Sequence, residues 1–208
     1  MLPYARTPVR FQGVISVQRY LGRIIQHRIR ELRAALTSLP TIGGWRCFLL
    51  YYLAFVLCAL LFGFGSGLLR WEPVQASPGA ICPFALALLV RPALVEEIVF
   101  RGLLLPREHK TIPRGRMLTI CSAALCLFVA SHIVNGLFFR HSAVALFTDP
   151  RFLLIAAMMG AMCIASYLTT VSLWPGIAGH WLTVATWVLL LGGRSLLGAR
   201  IGAAAAGP

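Results

Sequence analysis

Apolar residues occur in five long runs that are separated by short polar connections. Each run is close to the ~20 residues that a helix needs to cross the hydrocarbon core of a bilayer. The pattern therefore predicts an all-α fold, a polytopic membrane helix bundle of about five transmembrane helices that forms one domain. The predicted helices cover residues 47–69, 80–105, 117–139, 152–170 and 174–191.

The segment before these runs, residues 1–46, has a different pattern. Apolar residues recur there at helical spacing and arginines fill the other positions, with Glu31 as the only acid. A helix with one apolar and one basic face is typical of a segment that lies on an anionic lipid surface. We predict a basic amphipathic helix for residues 1–46, a membrane domain over residues 47–191 and a short tail over residues 192–208. An Arg-rich transit peptide is the alternative for the first segment, although its low serine content disfavours that interpretation.

Composition supports an integral membrane protein and indicates its orientation. The chain has 208 residues, of which 59% are hydrophobic, and a net charge of +13. Because the charges lie in the N-terminal segment and between apolar runs, we expect no nucleic-acid binding. With the N-terminus inside, the inner segments carry twelve basic residues (eight in residues 1–46 and four between residues 105 and 117) against five outside. This bias predicts a cytoplasmic N-terminus, and the preference for Arg over Lys suggests a bacterial inner membrane.

Two adjacent carboxylates, Glu96 and Glu97, interrupt the second apolar run. A single charge at the bilayer centre costs roughly 2.5–3.5 kcal/mol on insertion scales, so such residues usually pair or serve a function. Glu97 and Arg101 are one helical turn apart and are predicted to form an ion pair. Glu96 has no cation at that spacing. It is therefore the carboxylate left over, and beside a water molecule it would suit a general base.

Two histidines lie in later apolar runs, His132 in the third and His180 in the fifth. Asn135, three residues after His132, is predicted to orient that ring. Gly176 and Gly179 are small residues one turn apart, which let a neighbouring helix approach closely and place His180 at a packed interface. Measured from the inner ends of their predicted helices, the two histidines and Glu96 lie at different depths, so helix tilt or a kink at Pro92 is needed to bring them level.

Together these motifs resemble a known family. Glu-Glu-x-x-x-Arg at residues 96–101, Phe-x-x-x-His at residues 128–132 and a later helix with His180 are similar to the CAAX-protease and bacteriocin-processing family. These glutamate-type intramembrane proteases include the Rce1-like prenyl-protein endopeptidases. The resemblance covers roughly residues 80–190, and the Glu-Glu tract is its most specific part.

The resemblance implies a role for each matched residue. Glu96 and His132 would hold and activate a water molecule. Glu97 and Arg101 would stabilise the site, and His180 would help to form the oxyanion hole. These roles imply an endopeptidase that uses no cofactor and cleaves near the C-terminus of a membrane-anchored or lipidated protein.

The chain departs from the family pattern at one position. The family usually has Asn or Asp four residues after the later histidine, and Val184 stands there in this sequence. Loss of one oxyanion-hole donor typically slows catalysis by about 10²–10³. Thr183, the preceding residue, is the candidate to compensate.

Two alternatives to a metal-independent protease remain open. The protein could be a catalytically silent membrane partner or chaperone that keeps the polar site for structural reasons. Zinc bound by Glu96, His132 and His180 is a further possibility, which the lack of an HExxH arrangement disfavours.

Overall fold

The computed structural model of this chain describes residues 9–198, which form an all-α protein. Between some of the helices the chain makes short 3₁₀ turns at His109–Thr111 and His141–Ala143. The helices of the described region are α1 Val9–Thr37, α2 Ile42–Gly65, α3 Pro78–Leu103, α4 Arg114–Phe138, α5 Val144–Phe147, α6 Pro150–Thr170, α7 Trp174–Leu190 and α8 Gly193–Leu197.

Within residues 9–198, four helices are long and apolar enough to cross a membrane, namely α2, α3, α4 and α6. The predicted membrane helix bundle is thereby confirmed. The predicted fifth span, α7, has 17 residues and lies at the short end of the spanning range. It begins at the predicted residue, Trp174, after a sharp turn in which Val171 adopts left-handed backbone angles (φ 49°, ψ 29°). Many α7 side chains are buried, so this helix lies mostly inside the bundle.

Helix α3 is bent in its middle. The backbone leaves helical geometry at Arg91 (φ −138°, ψ 110°), the residue before Pro92. Proline disfavours the helical region for the preceding residue and has no N–H to donate to the previous turn. The kink expected at Pro92 is therefore present. Helical geometry resumes after it and carries Glu96, Glu97 and Arg101.

One end of the bundle, which we call the α1 end, is closed by a buried apolar cluster. Ala35, Leu105 and Leu173 are at most 1% exposed there. The backbone N–H of Leu173 donates to the Ala35 carbonyl (3.2 Å), and the indole N–H of Trp174 donates to the Leu36 carbonyl (2.8 Å). The last turns of α1 are thus fastened across the connection between α6 and α7.

The predicted N-terminal helix is present as α1, although residues 1–8 lie outside the described residues. Leu32 and Leu36 pack against the cluster at the α1 end. Ile25 and Ile29 lie on the same helical face but are 57% and 56% exposed. The apolar face of α1 therefore continues beyond the bundle that it packs against.

Glu31 anchors α1 to the connection that follows α3. The side chain of Arg28 donates to one carboxylate oxygen of Glu31 (2.8 Å), and the backbone N–H of Arg107 donates to the other (3.1 Å). The Arg107 guanidinium also donates to the Ser38 hydroxyl (2.8 Å). Glu31, the one acid of the N-terminal segment, therefore has a structural role.

The opposite end, which we call the far end, is held together by the connection between α2 and α3. The backbone N–H of Glu72 donates to the Leu190 carbonyl (2.9 Å). The Glu72 carboxylate accepts from the Ser195 hydroxyl and from Arg70 (2.6 Å). The hydrogen bond from Ser195 and then that from Arg70 lower the pKa of Glu72. Ser195 lies in α8, the start of the predicted tail, whose residues 199–208 lie outside the described part of the chain.

Candidate active site

The ion pair predicted from the i,i+4 spacing on α3 is present and buried. Arg101 Nη1 lies 3.1 Å from Glu97 Oε1, and both side chains are 1% exposed. Arg101 Nη2 donates to the Gly160 carbonyl of α6 (2.9 Å), and its guanidinium lies 4.6 Å from the centre of the Phe128 ring. A buried charge needs such partners because its removal from water is costly.

Glu97 also holds His180 of α7. His180 Nδ1 lies 3.0 Å from Glu97 Oε1. Because a carboxylate only accepts hydrogen bonds, Nδ1 carries a proton and donates it. The close approach requires glycine at Gly176, where a Cβ atom would lie 2.7 Å from Glu97 Oε2. At Gly179 a Cβ atom would lie 3.0 Å from the Phe48 ring, so both glycines permit the predicted packing.

Glu96 is the carboxylate that remains available. Its Oε2 atom lies 3.8 Å from His180 Nε2 and makes no hydrogen bond within the described residues. No arginine or lysine of residues 9–198 pairs with Glu96, whose side chain is 25% exposed. A separation of 3.8 Å is too long for a direct hydrogen bond, but the two atoms are placed to share a third hydrogen-bonding group.

His132 is fixed by its own helix. Its Nδ1 atom donates to the Phe128 carbonyl (2.9 Å), which leaves Nε2 as an acceptor in the neutral ring. The Phe128 ring lies between the two histidines, with centroid distances of 4.9 Å to His132 and 6.1 Å to His180. Asn135 was predicted to orient His132, but the structure assigns that hydrogen bond to Phe128, whose carbonyl lies one turn earlier.

These groups open onto one cavity of about 840 Å³. That volume is within the range of ligand sites, and like them the cavity has mostly apolar walls with a few convergent polar groups. Glu97 and Arg101 lie behind the wall and support it. The predicted site residues on the wall itself are Glu96, His132, Asn135, His180 and Thr183.

A family model described as "Type II CAAX prenyl endopeptidase Rce1-like" matches residues 78–186, just over half of the chain. The chain belongs to the Rce1-like family. The matched region begins with α3 and ends within α7, so it contains all seven predicted site residues. No curated protein and no solved structure matches the chain.

Membership of the Rce1-like family indicates the general type of enzyme. It places the chain among CAAX-protease-type intramembrane peptidases, a family that acts on membrane-associated prenylated substrates. The four long apolar helices agree with an integral membrane protein. Neither α1 nor α2 is part of the matched region.

Val184 of this Rce1-like chain lies on the cavity wall, next to Thr183. The Thr183 hydroxyl donates to the Gly179 carbonyl of its own helix (2.7 Å), so its proton is already used. Tyr52 of α2 lies on the same wall, where its hydroxyl can donate a hydrogen bond to a ligand.

Two residues that sequence reasoning missed complete the surroundings of the site. Tyr52 and the adjacent Tyr51 lie in an apolar run, and nothing in the spacing marks Tyr52. Cys163 of α6 is fully buried beside α7, and its thiol lies 3.8 Å from the Gly176 carbonyl. Both come from helices without a motif, so only the tertiary fold brings them to the site.

Side-chain placement gives the zinc alternative no support. Within residues 9–198, no group of three His, Cys, Asp or Glu side chains has the geometry to hold a metal ion. That the reaction needs no cofactor stays a prediction, which chelation experiments can decide.

Proposed function

We propose that this Rce1-like protein is a metal-independent intramembrane endopeptidase in which Glu96 activates water. The observation that carries the proposal is the contrast between two adjacent carboxylates. Glu97 is fully buried and engaged by Arg101 and His180. Glu96 has no arginine or lysine of the described region beside it and lies on the cavity wall. A carboxylate so placed is suited to accept a proton from water.

In the proposed reaction, water is held between Glu96 and the Nε2 atom of His132. The water oxygen attacks the carbonyl carbon of the peptide bond while one of its protons passes to Glu96. Glu96 then delivers that proton to the amide nitrogen as the C–N bond breaks. The products are a new carboxyl terminus and a new amino terminus, and Glu96 returns to its starting state.

His180 stabilises the oxyanion that forms during the attack. Nδ1 donates to Glu97, and a proton on Nε2 would donate to the oxyanion. Glu97, held in turn by Arg101, keeps the ring in one orientation. Tyr52 is available as a second donor on the same wall, where Val184 offers none.

The proposed substrate is a membrane-anchored or lipidated protein that is cut near its C-terminus. Family membership and the apolar walls of the cavity support this class of substrate. An apolar cavity of about 840 Å³ is large enough for several side chains of an extended peptide.

We further infer that α1 lies on an anionic lipid surface, with the N-terminus in the cytoplasm of a bacterial cell. The exposed apolar face at Ile25 and Ile29 and the exposed arginines Arg23, Arg30 and Arg33 support this placement. An apolar stripe beside a basic stripe suits the interface of an anionic leaflet.

The alternative of a catalytically silent partner draws on one observation. Val184 presents an apolar side chain to the cavity where the family pattern has a hydrogen-bonding residue. Purified protein that cleaves a peptide without any partner would exclude this alternative. The same assay with a chelator tests the zinc alternative, and we expect cleavage to be unchanged.

The first test is a comparison of protein C-termini in membranes from cells that express the wild type, Glu96→Gln or Glu108→Gln. Glu108 is an exposed glutamate in the connection after α3 and serves as the matched control. We expect specific C-terminal fragments to disappear only with Glu96→Gln, at equal protein levels. Identical fragments in all three membranes would reject the protease and favour the silent partner.

A further inference from the structure

The cavity extends toward the far end of the bundle and does not reach the α1 end. On α7 its wall begins at His180 and continues past the helix to Leu191. It also includes Leu69 after α2, Arg140 after α4 and Phe152 in the first turn of α6. All of these positions lie toward the far end. Within the described part of the chain, the wall includes no residue of α1 and none of the apolar cluster at the α1 end.

The α1 end is closed by packing. Helix α3 contacts α1 and α4 through its last segment, Ile98–Leu103. Gly102 in that segment is packed so tightly that a Cβ atom would lie 2.5 Å from Leu32 of α1 and 3.3 Å from Leu173. A peptide cannot reach Glu96 from this end without displacing α1.

From the level of Val99 toward the far end, α3 and α4 leave a cleft between them. Val95 and Val99 of α3 line the cavity, as do Leu127 and Val134 of α4. Each of these side chains is between 39% and 55% exposed, so the cavity wall is continuous with the outer surface of the bundle. The cleft is apolar at the depth of the membrane, which suits an apolar segment that arrives from the lipid.

Two arginines on the cavity wall favour water in the cleft. Arg91 lies in the middle of α3 and is exposed, and its side chain makes no ion pair or hydrogen bond within residues 9–198. A charged side chain at that depth almost always faces the bundle interior or a water-filled cavity. Arg140 at the far end of α4 is likewise exposed and has no side-chain partner in the described region. These two charges favour an anionic group in the cleft.

We propose that the cleft between α3 and α4 admits the substrate from the membrane face opposite α1, which is the non-cytoplasmic face. Basic residues are concentrated in α1 and in the connection between α3 and α4, both at the α1 end, and the positive-inside rule places that end in the cytoplasm. The occupant is an apolar segment of a membrane-anchored protein that carries an acidic side chain or a free carboxylate, with its scissile bond on the non-cytoplasmic side of the bilayer. Only the identity of the occupant rests on the proposed endopeptidase function.

The direction of entry is tested by thiol labelling in intact cells, which needs no cleavage. Cys47, Cys58, Cys82, Cys121 and Cys126 are replaced by alanine, and buried Cys163 is kept. Val134→Cys and Phe139→Cys then report on the cavity wall, and Lys110→Cys reports on the α1 end. We expect a membrane-impermeant maleimide to label the first two in intact cells and Lys110→Cys only after permeabilisation.

The charge of the cleft is tested on the same Val134→Cys protein. A negatively charged thiosulfonate reagent is expected to react several-fold faster than its positively charged analogue. Arg140→Gln should reduce that ratio, because it removes one of the two unpaired cations.

Two outcomes would overturn the proposal. In the first, the thiols of Val134→Cys and Phe139→Cys both react only after permeabilisation or denaturation. In the second, Lys110→Cys is labelled in intact cells. Two wall reporters are used so that the test still works if one of these variants fails to fold. If labelling is as expected but Glu96→Gln changes no C-terminal fragment, the cleft stands and the protease proposal fails. Fragments whose new termini are cytoplasmic would instead contradict the direction of entry.

Discussion

His180 donates from Nδ1 to Glu97 Oε1 across 3.0 Å, although the two residues are 83 positions apart in the sequence. The same carboxylate oxygen lies 3.1 Å from Arg101. Glu97 therefore joins α3 to α7 and fixes the ring whose other nitrogen points toward Glu96. The two neighbouring glutamates have different tasks, and their substitution should have different consequences.

Glu97→Gln should destabilise the fold. The amide keeps the shape of the side chain but leaves Arg101 as a buried cation without its counter-charge. Removal of one partner of a buried ion pair typically costs about 3–5 kcal/mol. We expect a loss of this order in detergent unfolding experiments. The double variant with Glu97→Gln and Arg101→Met should recover much of it, and equal stability of the single variant and the wild type would contradict the central role of Glu97.

Glu96→Gln should abolish activity and leave stability nearly unchanged. No arginine or lysine of the described region pairs with Glu96, so its neutralisation breaks no permanent ion pair. Loss of a general base typically slows a reaction by about 10²–10⁴. The measurement pairs initial cleavage rates with unfolding midpoints for the same preparations. A variant that loses activity only because it unfolds would show a lowered midpoint as well.

Gly176→Ala should damage the site through sterics alone. The added methyl group would lie 2.7 Å from Glu97 Oε2, and both groups are buried. Overpacking of this kind costs about 1–3 kcal/mol and should displace His180. Gly115→Ala in α4 is the matched control, since a Cβ atom there meets nothing within 4 Å. We expect the control to be neutral or slightly stabilising, and equal behaviour of the two variants would argue against the tight contact.

The local part of this site could be predicted from the sequence, because helical spacing determines which neighbours share a face. That spacing predicted the pair of Glu97 with Arg101, and the small residues Gly176 and Gly179 indicated where α7 packs closely. The kink at Pro92 followed from the chemistry of proline. These features depend on residues within about two turns of each other.

The tertiary part of the site was beyond the sequence pattern. The contact of His180 with Glu97 joins two helices that are distant in sequence. Hydrophobic periodicity does not predict which carboxylate oxygen a histidine nitrogen will contact. Asn135 was expected to orient His132, yet the Phe128 carbonyl does so from within the same helix. Tyr52 could not be found, because a tyrosine in an apolar run gives the same pattern whether it lines a cavity or faces lipid.

Acidification should loosen the far end of the molecule. Hydrogen bonds from Ser195 and Arg70 lower the pKa of Glu72 below its ordinary value of about 4.3. A carboxyl group whose pKa is lowered by folding stabilises the fold above its unfolded pKa, and that contribution is lost as the pH falls through the lowered value. The protection of the Glu72 amide, which donates to Leu190, should therefore fall, relative to intrinsic exchange, as the pH drops through the lowered pKa. Glu72→Gln should remove this dependence, and an unchanged pH profile in that variant would contradict it.

Val184→Asn should increase the rate of cleavage, because it adds a hydrogen-bond donor at a wall position where the valine side chain offers none. One oxyanion-hole donor is worth about 10²–10³ in rate when well placed. Tyr52→Phe should slow the wild type, while its ring keeps the stacking with Phe48 (5.6 Å between centroids). If Tyr52 supplies the donor that Val184 lacks, Tyr52→Phe should cost less in the Val184→Asn background than in the wild type. Rates of the four proteins in this double-mutant cycle measure the coupling. Equal effects of Tyr52→Phe in both backgrounds would mean that Tyr52 acts only through packing.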